Sequence, residues 1–223
     1  MLCAPDGEAD ERPLSIEVSA GLDFARIAAP ASGDATVAVD PRSAERSIGG
    51  GAVGLSAVMG GKIAGCKTII LIEPRADRRA LGLSMGAHHA IDPAAGETSE
   101  AVRAISPLGA DHVLDTSGHV GALQSALQML APMGTLGLIG VPPAMDATLS
   151  VVIAQAITFG HKVMGIIEGD SVPKDFLPQL VSWTQSGELP VGKMVTTYPF
   201  AQINKALHEA HEGSTVKPVL VFD

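Results

Sequence analysis

Aromatic side chains are nearly absent from this chain: they make up 3% of its 223 residues, with a single Trp and a single Tyr. A core without them is built from Ala, Val, Leu, Ile and Met, as in α/β folds packed with small residues. Cysteine is equally scarce. Cys3 and Cys66 are too few for a disulfide framework or a zinc cluster. Cys66, between a helix-like and a strand-like stretch, reads as a small buried hydrophobe. Basic residues are outnumbered, 15 Lys and Arg against 24 Asp and Glu, for a net charge of −9. That balance argues against nucleic acid or an anionic membrane as partner, since both need a basic face. No apolar run reaches the roughly 18 residues of a membrane span. The first residues lack the basic and apolar regions of a signal peptide, so the expected location is cytoplasmic. What remains is a hydrophobic fraction of 46% on a length that suits one large domain or slightly more.

Everything turns on Ser47–Glu73, SIGGGAVGLSAVMGGKIAGCKTIILIE. Gly49, Gly51 and Gly54 fit G-x-G-x-x-G, which serves a tight turn, close approach to a pyrophosphate and close helix–sheet packing. A helix-length run of small and apolar residues follows, its first N–H groups facing the phosphates. Thr68–Ile72, TIILI, is an unbroken apolar strand of the kind buried on both faces. Glu73 comes 19 positions after Gly54, near the offset of about 20 expected for a ribose-binding acid. With 25 glycines in the chain the motif alone would be weak; its context makes it a dinucleotide-binding βαβ unit.

Beyond Glu73 the pattern alternates. Helices are expected at Ala76–Met85, Ser99–Ile105, His119–Leu130, Val151–Thr158, Phe176–Gln185 and Ala201–His211. Strands are expected at His88–Asp92, Ala110–Asp115, Thr135–Val141, Lys162–Ile167, Lys193–Thr197 and Val219–Phe222. Such alternation means a Rossmann-type doubly wound parallel sheet. Ahead of it, residues 1–46 read as irregular or truncated, with Ala35–Val39 as one short strand and no zinc-ligand spacing, nucleophile elbow or repeat. The division expected is 1–46 irregular, 47–192 dinucleotide domain and 193–223 a C-terminal piece of a second lobe.

From Ser47 onward the chain resembles the cofactor half of the zinc-type medium-chain alcohol dehydrogenases, the aryl-alcohol dehydrogenases above all. The residues behind this are GAVGLSAVM, Glu73, the DTSG at Asp115–Gly118, LIGVPP at Leu138–Pro143, Gly165–Leu180, Tyr198–Ala210 and KPVLVF at Lys217–Phe222. The resemblance implies NAD as cofactor. Gly49, Gly51, Ala52, Val53 and Gly54 would hold its pyrophosphate, and Lys217 would reach it as well. Glu73 would take the adenosine ribose and repel a 2′-phosphate, with Arg78 flanking that ribose. Thr116, Ser117 and Gly118 would line the cleft, and Gly140 and Val141 would offer backbone to the nicotinamide. It implies too a homo-oligomer through edge strands at Thr148–Ser150 and Lys162–Ile167, and oxidation of a primary or aromatic alcohol to its aldehyde.

The departures are specific. Gly21–Ser47 contains neither Cys nor His, where relatives carry a zinc ligand, and no structural-zinc cluster exists. No metal ligand and no catalytic residue is therefore assigned. Only Arg46–Ile48 precedes Gly49 where about five apolar strand residues belong, so the first strand reads as damaged, as after a deletion or altered reading frame. An inert NAD(H)-binding fragment needing a partner, and a zinc-independent reductase, stand as alternatives. Among other groups, His208 and His211 read as solvated, and His88 and His89 face opposite ways. His119 is the histidine to watch for proton handling. Asp115 at a strand end, and Glu168 with Asp170, are either functional or ordinary polar residues.

Overall fold

A computed structural model describes residues 36–40, 49–167, 169 and 171–222. The strands are β1 (Thr36–Asp40), β2 (Thr68–Ile72), β3 (His89–Ile91), β4 (Ala110–Asp115), β5 (Leu130–Leu138), β6 (Lys162–Gly165), β7 (Val195–Pro199) and β8 (Lys217–Val221). The helices are α1 (Ala52–Ile63), α2 (Ala76–Met85), α3 (Thr98–Ile105), α4 (Val120–Met129), α5 (Ile153–Phe159), α6 (Pro173–Ser186) and α7 (Ile203–His211). Among the described residues β1 to β6 form a six-stranded sheet in the order β3-β2-β1-β4-β5-β6, and β7 pairs with β8 in a second sheet. All of these pairings are parallel. The order reverses between β1 and β4, which is the switch point where open α/β sheets bind ligands. The doubly wound expectation holds.

The centre of the sheet is buried, and β2 shows why: it has no polar face to turn to water. In β2, Ile69 and Leu71 join one core with Leu55, Val58, Met59, Met85 and Leu114. Ile70 and Ile72 point the other way into a core with Val102, Val113, Ala126, Leu127 and Leu136. Alternation along one strand thus feeds two cores, which is what an unbroken TIILI predicts. Each fully buried Ile or Leu contributes on the order of 2 kcal/mol.

The first strand stands elsewhere than the motif suggested. It is not a damaged stub against Gly49 but Thr36–Asp40, paired in register with Thr68–Leu71 on one side and His112–Asp115 on the other. The physical reason is composition: TVAV can form a central strand, whereas Arg46–Ile48 is too short and polar. Two smaller differences matter for the site. β5 begins at Leu130, which pairs with Ala110 across a bulge, and it stops at Leu138 instead of Val141. There the N–H groups of Ile139 and Gly140 both turn to the Asp115 carbonyl, at 2.9 and 3.0 Å, which ends the ladder and frees Gly140–Val141 as loop. Near the C-terminus, the expected strand from Lys193 starts at Val195 after a 3₁₀ turn at Val191–Met194.

Candidate cofactor site

The glycine turn leads into α1 with no side chain capping it: Gly51 occupies the N-cap position at φ −74°, ψ 177°. The first N–H groups of a helix have no acceptor within it and carry its positive dipole end. No acidic residue stands in this first turn, and Lys62 lies in the last. Gly49 has φ +88°, a left-handed conformation that favours glycine. A Cβ on Gly54 would lie 1.6 Å from the Gly49 carbonyl oxygen, so turn and helix are packed as closely as backbone permits. A phosphate approaching this turn meets bare backbone, so the residues present fit a pyrophosphate.

Gly50, between the motif glycines, is held from both sides. Its N–H donates to Glu73 Oε2 at 2.6 Å, and its carbonyl accepts from Arg78 Nη1 at 3.2 Å. The other Glu73 oxygen accepts the Arg75 N–H at 2.9 Å. Glu73 is wholly buried, and burial raises its pKa against the pull of those N–H groups and of the Arg78 and Arg75 charges. Where the sequence suggested a carboxylate presented to a ribose, both oxygens here accept backbone N–H groups and no part of the side chain reaches solvent. Arg78, expected to flank that ribose, is buried as well. It is 3% exposed, and its Nη2 donates to the carbonyls of Gly213 at 2.6 Å and Thr215 at 3.4 Å.

Across the switch point, Asp115 ends β4 fully buried. Its Oδ1 accepts the Ser117 hydroxyl at 2.5 Å and the Ser117 N–H at 3.2 Å; its Oδ2 accepts the Gly118 N–H at 2.7 Å. Burial raises its pKa too. The carboxylate therefore folds Thr116–Gly118 back on itself. A Cβ on Gly118 would stand 2.4 Å from the Val141 carbonyl, and one on Gly140 would stand 2.2 Å from the Gly118 nitrogen. The structure thus brings Ser117 and Gly118 together with Gly140 and Val141, backbone against backbone, and Val141 is 78% exposed there. Ala52 and Val53 open α1, whose Val53 is half-exposed. Lys217 is exposed at the start of β8, two positions past the Thr215 that Arg78 holds.

The histidines divide by partner. His88 Nδ1 accepts the Ile69 N–H at 2.9 Å and so pins the edge of the sheet. His208 pairs with Glu212 at 3.1 Å on the surface. The His119 N–H donates to Ser117 Oγ at 2.8 Å, but its imidazole Nδ1 is buried without a hydrogen-bond partner. The Cys66 thiol is pushed up to about 11, chiefly by burial, which makes it inert. Glu168 and Asp170 lie outside the described residues. Among the described residues no group of three His, Cys, Asp or Glu side chains converges on a metal position, and no helix is long and apolar enough to cross a membrane. Sequence reasoning passed over Gly50, Gly213 and Thr215. The run of three glycines hinted at the first; nothing local marked the others.

Residues 52–186 match the profile of the zinc-binding dehydrogenase family. A geraniol dehydrogenase of Castellaniella defragrans is 39% identical over 188 residues, which are 84% of this chain and 50% of that protein. An alcohol dehydrogenase zinc-binding domain protein from Burkholderia ambifaria superposes with a TM-score of 0.80 at 34% identity, covering 89% of this chain and 52% of that one. The benzyl alcohol dehydrogenase of Acinetobacter calcoaceticus also superposes at 0.80, with 26% identity over 92% of this chain and 56% of its own. The chain spans about half the length of the curated relatives it matches.

Proposed function

Because the chain belongs to the zinc-binding dehydrogenase family, a family of alcohol dehydrogenase-like oxidoreductases, we propose that it binds NAD(H) across the switch point between β1 and β4. The observation behind this is the glycine turn: Gly49 and Gly54 in near contact, backed by the uncapped start of α1. The pyrophosphate rests on Gly49, Gly51, Ala52, Val53 and Gly54, with Lys217 contributing charge. The nicotinamide end lies along Ser117, Gly118, Gly140 and Val141, whose loop Asp115 holds in shape. When bound, the nicotinamide supplies a hydride acceptor for an alcohol substrate, primary or aromatic, in the cytoplasm. Glu73 still disfavours a 2′-phosphate by its buried negative charge, although ribose hydrogen bonds require the Gly50 N–H to release it.

The second reading, an inert NAD(H)-binding unit, is favoured by one observation. The family implies zinc, and the described residues offer no ligand set that fits it. A zinc-dependent step therefore has no support among these side chains. Association is part of the proposal: among the described residues β6 is an edge strand with Val163 exposed, Ile167 follows it exposed, and Ile153 and Ile157 of α5 are exposed too. Light scattering that returned a monomer would remove that part.

Thermal unfolding with NADH, and NADPH as control, tests the main reading. NADH at 100 times its dissociation constant adds about 2.7 kcal/mol to the folded state. No shift with either nucleotide overturns the site. A benzyl alcohol assay with added zinc then separates the two readings: NADH formation supports turnover, and none at high protein concentration supports the inert binder.

A further inference from the structure

We infer that Arg78 is a positioning residue: it bolts the β7–α7–β8 unit to the glycine turn and thereby sets where Lys217 stands, instead of touching a ribose itself. The inference rests on the reading of the glycine turn as a dinucleotide site. Its basis is the guanidinium's geometry. One nitrogen reaches the Gly50 carbonyl at 3.2 Å, inside the turn. The other reaches Gly213 at 2.6 Å and Thr215 at 3.4 Å, more than a hundred residues on. A planar fork of fixed donors can span such a set of carbonyls; a lysine ammonium cannot. At 3% exposure, Arg78 has no free face for a ribose.

What the bolt grips is itself firm. The Thr215 N–H donates to the Glu209 carbonyl at 3.2 Å, and the Thr215 hydroxyl shares a 2.6 Å hydrogen bond with Tyr198 Oη. Gly213 closes the end of α7 through the Ala210 carbonyl at 3.2 Å. From Thr215 the chain runs directly into β8, where Lys217 pairs in register with Val195. Displacing Gly213–Thr215 therefore displaces Lys217. Neighbouring Arg75 does not duplicate the role: it is exposed, and it meets only the Glu212 carbonyl of this unit, at 3.5 Å.

The test compares NADH, ADP and adenosine by calorimetry on the wild type and on Arg78→Lys, with amide hydrogen exchange recorded without ligand. Adenosine carries the ribose and lacks the pyrophosphate. A bolt lowers affinity for NADH and ADP about tenfold, leaves adenosine unchanged, and speeds exchange at 213–217. A ribose ligand lowers adenosine affinity along with the others and leaves that exchange unaltered, which overturns the inference. If Arg78→Lys does not fold, Lys217→Gln decides the matter, since it removes the exposed charge that the bolt is inferred to place and leaves Arg78 and its acceptors untouched. Tenfold weaker ADP with unchanged adenosine supports the bolt; unchanged ADP overturns it. Should the wild type bind no nucleotide, the cofactor reading fails, and the exchange at 213–217 still judges the bolt by itself.

Discussion

Glu73, just past β2, and Asp115, at the end of β4, stand at matching places in the fold and hold backbone in different ways. Both are fully buried, and both accept backbone N–H groups. Asp115 works locally, on residues two and three positions ahead. Glu73 reaches 23 residues back to Gly50, and Arg78 and Arg75 oppose its charge. One is a turn-maker and the other a tertiary staple. The first can be lost with local damage, whereas the second, together with Arg78, joins parts of the chain far apart in sequence.

Removing each carboxylate puts that contrast at risk most directly. Glu73→Ala strands the Gly50 and Arg75 N–H groups and removes the larger of the two charges, Glu73 and Asp77, that offset the buried Arg78 guanidinium, at a cost of about 3–5 kcal/mol. Asp115→Ala strands N–H groups alone, at about 1–3 kcal/mol. Urea unfolding of both variants checks the order, and equal losses would show that the arginines add nothing. Next in size is Gly50→Ala. Its Cβ would stand 2.7 Å from Glu73 Oε2 and 2.8 Å from Arg78 Cβ, so the staple must give way, for about 2 kcal/mol of overpacking. A stability equal to wild type would mean that Glu73 and Arg78 hold Gly50 only loosely.

A smaller effect separates the carboxylates by titration. Burial raises the native pKa of Asp115, so the folded state binds that proton more tightly than the unfolded chain. Folding stability then falls as pH rises from the ordinary carboxylate value near 4 toward the raised native value, and is level above it. Asp115→Asn abolishes this titration, so wild-type stability minus variant stability should slope downward across that window. A difference profile that rises with pH would mean that the hydrogen bonds of Ser117 and Gly118 outweigh burial.

The turn, β2 and the acid after it were legible because their spacing is local and their chemistry distinctive. The seam residues came from the family resemblance, and the strand expected to run through Val141 ends at Leu138 instead. The strand at Thr36–Asp40 was legible as the short strand expected at Ala35–Val39, but not as the first strand of the sheet, because residues 41–48 part it from the glycines and only pairing with Thr68 and His112 fixes its place. Nor was the burial of Glu73. A carboxylate at that position reads the same whether it faces a ribose or a backbone N–H, and only the position of Gly50 and Arg78 decides. The acceptors of Arg78 were not legible for a related reason: at Gly213 and Thr215 they are carbonyls, which any residue supplies.

The mildest prediction concerns the one cation of this group that faces water. Arg75 pairs with Asp77 at 2.9 Å, with side chains 38% and 60% exposed. The hydrogen bond from Arg75 is also the main reason the Asp77 carboxyl titrates below its usual range. Exposed pairs of this kind are worth about 0–1 kcal/mol and weaken with salt, so Asp77→Ala should move urea stability by less than that and hardly at all in high salt. Arg75 would then keep its 3.5 Å hydrogen bond to the Glu212 carbonyl, and the staple should persist, because Glu73 holds residue 75 by its backbone N–H and not by its guanidinium. A loss approaching that of Glu73→Ala would place the Arg75 side chain inside the staple, and the line between buried tertiary ties and surface charge would have to be redrawn on the solvent side of Asp77.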